Sequence, residues 1–90
     1  MRIIWSETAV ANLAEIREYI EKDKPEAARR LARRILVSAE RLAVHPYLGH
    51  AGREPDSREL IIGGTPYVVS YQVQKGRLLI LAVLHSSRRK

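Results

Sequence analysis

The sequence predicts an α+β protein with the order β-α-α-β-β-β, a helical hairpin packed on a small, mainly antiparallel sheet. Three observations carry this. Apolar residues recur at helical spacing through the first half and at a period of two through the second. Between the two regimes, residues 45–56 hold two prolines and two glycines, the composition of a loop.

Each element has its own local signal. Residues 2–5 are a short, mostly apolar stretch that reads as a strand. Ser6 offers an N-cap, and Glu7 places negative charge in the first turn of the helix that follows. Ala9, Leu13, Ile16 and Ile20 form the apolar stripe of that helix, which runs to about Lys22. Pro25 suits the first position of a second helix, and Glu26 supplies its early negative charge. Ala28, Leu31, Ile35, Ala39 and Leu42 continue the helical spacing to about Val44, and the short break between the helices implies an antiparallel hairpin.

Beyond the 45–56 loop, Arg58 to Ile62 reads as a strand closed by the turn Gly63-Gly64-Thr65-Pro66. Tyr67, Val69, Tyr71 and Val73 alternate with Val68, Ser70, Gln72 and Gln74, the pattern of a half-buried strand. Lys75-Gly76 makes a tight hairpin turn. Leu78 to Leu84 is apolar at every position, which predicts a central strand buried on both faces.

Ninety residues suffice for a single domain, here taken as residues 1–90. Cysteine is absent, which excludes disulfides and thiolate metal sites, and no apolar run approaches the ~20 residues of a membrane span. The apolar part of the N-terminus is too short for a signal peptide, so the expected location is the cytoplasm. Sixteen Lys and Arg against ten Asp and Glu give a net charge of +6, which favours a polyanionic partner: nucleic acid, an acidic protein segment or an anionic surface.

Two basic clusters stand out. Arg29, Arg30, Arg33 and Arg34 span an arc of about 140° on the second helix, nearly opposite its apolar stripe. Such a face can grip phosphates or an acidic peptide, or be merely solvated. At the other end of the chain, His85 closes the last strand, and Ser86-Ser87-Arg88-Arg89-Lys90 follows it. An imidazole backed by cations can donate a proton beside a phosphodiester.

Cleavage of RNA by internal attack would need a base, an acid and cations around the phosphate. The sequence nominates Glu54 or Glu59 as base, His85 as acid, and Arg58 and Arg88 as cations. His45 and His50 lack metal-type spacing and read as structural or exposed. There is no P-loop, dinucleotide fingerprint, nucleophile elbow or zinc motif, and no cofactor is expected.

Several motifs together resemble the RelE/ParE superfamily of toxins. They are a Ser-x-x-Ala opening at Ser6, Pro25-Glu26-Ala27-Ala28, Pro46-x-x-Gly49, Arg58-Glu59-Leu60, the aromatic strand Tyr67 to Val73, and Ile80 to His85 with Arg88 behind. The resemblance implies a growth-inhibiting toxin of a type II pair, held by a cognate antitoxin in a hetero-oligomer. It leaves two mechanisms open, poisoning of DNA gyrase (ParE-like) and cleavage of messenger RNA on the ribosome (RelE-like). The long helical hairpin and the His-x-x-Arg ending look like the ParE branch. Gln72 and Gln74 stand where a nuclease member would carry charge, and no tyrosine follows His85. On this reading His85, Arg88, Arg89 and Lys90 meet the target, and Arg29, Arg30, Arg33 and Arg34 meet the antitoxin. A nuclease would instead use His85, Arg58 and Glu54. A third possibility is a non-toxic basic module that binds nucleic acid or protein.

Overall fold

A computed structural model describes residues 1–88 of the chain. Strand β1 (Arg2–Trp5) leads through Ser6 into helix α1 (Glu7–Glu21), and a three-residue link leads to helix α2 (Pro25–Val44). Four strands follow: β2 (His50–Ala51), β3 (Arg58–Ile61), β4 (Tyr67–Gln74) and β5 (Arg77–His85). Ser86–Arg88 close the described chain as a single 3-10 turn.

The five strands form one sheet in the order β1-β5-β4-β3-β2. Strand β1 lies parallel to β5, with Ile3 opposite Leu78, and every other pairing is antiparallel. Two sequence expectations need correction. The 45–56 segment is not all loop, because His50 and Ala51 pair with Glu59 and Arg58 as a two-residue strand. Two residues are too few to show periodicity, and the pairing is imposed by β3. Strand β5, expected to be central and buried on both faces, is an inner strand beside β1, while β4 occupies the middle. Its two faces differ: Leu78, Ile80 and Val83 are buried, while Leu79, Leu81 and Leu84 are half-buried.

A bulge explains that spacing. Ser70 pairs with Ala82 and Tyr71 with Ile80, so Leu81 is an extra residue in β5. The bulge lets Ile80 and Val83 both face the core. It also lies where β1 has ended at Trp5, which leaves backbone groups of β5 without a strand neighbour. The start of α1 supplies their partners. Ser6 N donates to Ile80 O at 3.0 Å, Ser6 Oγ donates to Leu81 O at 2.9 Å, and Val83 N donates to Asn12 Oδ1 at 3.0 Å. Ser6 Oγ also accepts from Ala9 N at 3.0 Å, the N-cap expected from the sequence. One serine therefore caps a helix and anchors it to the sheet.

Ala9 of α1, Ile35, Ala39 and Leu42 of α2, and Ile62, Val69, Tyr71, Leu78, Ile80 and Val83 make one buried cluster between hairpin and sheet. Leu13, Ile16 and Leu31 pack against it from the helices, as their stripe positions require. Pro25 begins α2 as its first residue, where its missing N–H costs nothing. Gly76 in the β4–β5 turn has φ of 75°, a conformation that glycine adopts without strain.

Candidate functional site

Functional candidates fall at three places, two at the sheet and one on a helix. The first is the end of β3. Arg58 lies beside Tyr71 across the β3–β4 pair, and its guanidinium turns onto the loop after α2. Nε donates to Gly49 O at 3.0 Å, and one terminal nitrogen donates to Gly49 O at 2.6 Å and Tyr47 O at 3.3 Å. The Tyr47 ring covers the same guanidinium, 5.3 Å from its centroid.

From the core side, the Tyr71 hydroxyl accepts from Gly49 N at 2.9 Å and donates to Pro46 O at 2.8 Å. A Cβ on Gly49 would stand 2.6 Å from Glu59 O and 2.7 Å from the Tyr71 hydroxyl. The Pro46-x-x-Gly49 motif is thus a loop clamped by two side chains, with glycine where nothing larger fits. Glu59 is buried, and its carboxylate lies 3.7 Å from His50 Nε2. Glu54 is exposed in the following loop, beside an open depression of about 520 Å³ that Tyr47, Arg53 and Arg58 help to line.

His85 marks the second place. It pairs with Tyr67 across β4–β5, and the two rings meet edge to face with centroids 5.4 Å apart. Nδ1 accepts from Ser87 N at 3.2 Å and lies 2.7 Å from Ser87 Oγ. A neutral ring holding that backbone bond carries its proton on Nε2. Ser86 N donates to Pro66 O at 2.7 Å, so the C-terminal segment starts against the β3–β4 turn. Arg89 and Lys90, named as target-binding residues from the sequence, lie outside the described residues.

The proposed nuclease residues are not brought together. Arg58 sits at the Tyr71 level of β4 and His85 at the Tyr67 level, on opposite flanking strands. Four residues of strand separate the two levels, about 13 Å at ~3.3 Å per residue, and crossing β4 adds about 10 Å. Glu54 and Glu59 belong to the Arg58 end. A general acid needs to stand within hydrogen-bond reach of the atom it serves.

The third place is the outer face of α2. Arg29, Arg30, Arg33 and Arg34 are all exposed there. Their roles divide, because Arg29 bonds Glu26 at 2.7 Å while the other three have no ion-pair partner among the described residues. Arg30, Arg33 and Arg34 surround a shallow depression of about 370 Å³ with Val37, Ser38 and Arg41. Arg41 was missed in the sequence, although it stands eleven residues after Arg30 and so returns to nearly the same helix face. Arg34 reaches the β3–β4 turn as well. Its guanidinium nitrogens stand 3.1 and 3.3 Å from where a Cβ on Gly64 would be, and Gly64 has φ of 77°.

Among the described residues no group of three His, Asp or Glu could hold a metal, and no helix is long and apolar enough to cross a membrane.

The fold matches that of a solved chain from a toxin–antitoxin system. It superimposes on a chain of the chromosomal ParDE system from P. aeruginosa with a TM-score of 0.86 at 22% identity, covering 94% of this chain and 95% of that one. Sequence relatives agree. Over 85 residues the chain is 40% identical to Y4kP of Sinorhizobium fredii, covering 94% of this chain and 88% of that protein. It is 36% identical over 87 residues to the toxin RelE2 of Caulobacter vibrioides, covering 97% of each. A family model described as the ParE toxin of the type II toxin–antitoxin system parDE matches residues 3–90. The chain belongs to the ParE toxin family of type II toxin–antitoxin systems, within the RelE/ParE superfamily.

Proposed function

We propose that this toxin arrests growth by poisoning DNA gyrase in the cytoplasm, and that its antitoxin neutralises it by covering the basic face of α2. The observation that carries the gyrase reading is the position of Arg58. Its donors are directed at the Gly49 and Tyr47 carbonyls, and it stands far along β4 from His85. A poison needs no acid–base set. It must bind the cleaved-DNA state of its target better than the resealed state, which shifts the population towards breaks. His85 and the basic segment behind it, Arg88, Arg89 and Lys90, are the residues proposed to face the target. Arg30, Arg33 and Arg34, with Arg29 at the rim, are those proposed to meet acidic groups of the antitoxin.

Controlled expression in a host without antitoxin tests this, scoring DNA integrity and translation within minutes of induction. Early DNA breaks with continuing translation are expected. Early loss of translation with cut messages, abolished by His85→Ala, would make the protein a ribosome-dependent ribonuclease. No growth arrest from folded protein would leave a non-toxic binding module.

A further inference from the structure

We propose that the α2 face bearing Arg30, Arg33, Arg34 and Arg41 binds the phosphate backbone of duplex DNA. This deepens the gyrase reading, because a toxin that touches the DNA as well as the enzyme gains a direct means of favouring the cleaved state.

The face carries charge that nothing in the described protein neutralises. Arg29 takes Glu26, and Glu40, the other carboxylate of α2, makes no ion pair with these arginines among the described residues. Arg30 stands three and four residues from Arg33 and Arg34, the spacings at which like charges on a helix repel. A polyanion relieves that repulsion on binding.

The geometry suits a phosphate backbone, and the antitoxin proposed to cover this face would displace it. The four arginines fall within about 100° of the helix circumference and run along about 16 Å of its axis. One DNA strand presents a phosphate about every 3.4 Å of axis, so the row spans roughly five. Guanidinium groups bind phosphate oxygens in a bidentate fork, and Ser38 adds a hydroxyl to the same depression. Among the described residues, Val37 is the only apolar one lining it, at 50% exposure. Within the depression itself the guanidinium groups outnumber apolar side chains, and the other exposed valine of the face, Val44, lies beyond Arg41 at the helix end.

The face also continues towards the end of the chain. Arg34 lies on the Gly64 turn, and the carbonyl of Pro66 in the same turn holds Ser86. Arg34 and Ser86 thus meet the same turn, which joins the α2 face to the end of β5.

The test uses the full-length toxin and a short fluorescent DNA duplex of mixed sequence, with affinity measured by anisotropy from 50 to 200 mM salt. Four phosphate contacts predict a slope of log K against log salt of about −3.6, equivalent to about a 150-fold loss over that range. Arg33→Ala/Arg41→Ala should make the slope shallower by about 1.8. Arg17→Ala/Lys75→Ala, which removes the same charge from exposed positions elsewhere, should leave the slope unchanged. Circular dichroism confirms that each variant is folded. An unchanged slope in Arg33→Ala/Arg41→Ala would overturn the proposal and move binding to the C-terminal segment. No affinity for the duplex, with binding of a glutamate-rich peptide instead, would overturn it and make the face a peptide site. Because no gyrase is present, the result stands apart from whether expression breaks DNA.

Discussion

Tyr71 holds Gly49 from inside the core: its hydroxyl, on a side chain with no solvent exposure, accepts the glycine N–H at 2.9 Å. The same oxygen donates to Pro46, so one phenol satisfies two backbone groups of the loop that leaves α2. Tyr71→Phe removes both bonds and keeps the ring. It should cost about 1–3 kcal/mol, the penalty for a buried polar group left unpaired. Urea denaturation measures this, and an unchanged midpoint would mean that water replaces the hydroxyl.

Arg58 clamps the same loop from the other side, so Arg58→Ala should act on folding first. Two carbonyls lose a charged donor, worth about 1.5–3 kcal/mol each way the loss is counted, and the Tyr47 ring loses its stacking partner. Growth arrest by this variant should fall only as far as its folded fraction falls. Full stability with abolished arrest would return Arg58 to a direct role at the target.

Ser6→Ala should be costlier than the loss of an ordinary helix cap. A cap alone is worth about 1 kcal/mol. Here the hydroxyl also bonds Leu81 O at the bulge of β5, so about 2 kcal/mol is expected in chemical denaturation. Ser6→Thr keeps the hydroxyl and should recover most of the loss. A cost no greater than a simple cap would show that the bulge does not depend on α1.

Gly64→Ala probes the contact between α2 and the β3–β4 turn. The residue has positive φ, so a side chain there costs about 1–2 kcal/mol. The added methyl would also crowd the Arg34 guanidinium. Thermal denaturation should show a lower midpoint, and the duplex affinity of the folded variant should drop with it. Unaltered affinity would mean that Arg34 does not need the turn to hold its position.

Much of the fold was legible because it rests on patterns that survive in one dimension. Ala9, Leu13 and Ile16 on α1, and Ala28, Ile35, Ala39 and Leu42 on α2, repeat at the spacing that buries one helix face. Tyr67 to Val73 form the strand their alternation predicts, but it is not half-buried as expected, because Val68 and Ser70 on the second face are buried along with Val69 and Tyr71. What escaped depends on contacts between distant residues. His50 and Ala51 are a strand only because Glu59 and Arg58 lie opposite. The unequal faces of β5 follow from a bulge at Leu81, and its partners are Ser6, Asn12 of α1 and strand β4. The site followed the same rule. The arginine cluster on α2 was visible as spacing, but the capture of Arg29 by Glu26, the return of Arg41 to the face and the use of Arg58 as a loop clamp emerge only from side-chain geometry.

The parallel pairing of β1 with β5 joins Arg2 to Arg77, at nearly opposite ends of the chain. Strand β5 is also the partner of β4 and the acceptor of the α1 anchors, so the sheet has no finished core until β5 arrives. Contacts so far apart in sequence close late and slowly. On the ribosome, the helices emerge well before the strand they must cover, and the nascent chain holds an uncovered apolar stripe throughout that interval. Synthesis therefore delivers this toxin as an abrupt event, with the native surface appearing only once the last strand is free to pair, and an antitoxin already present can meet it at that moment.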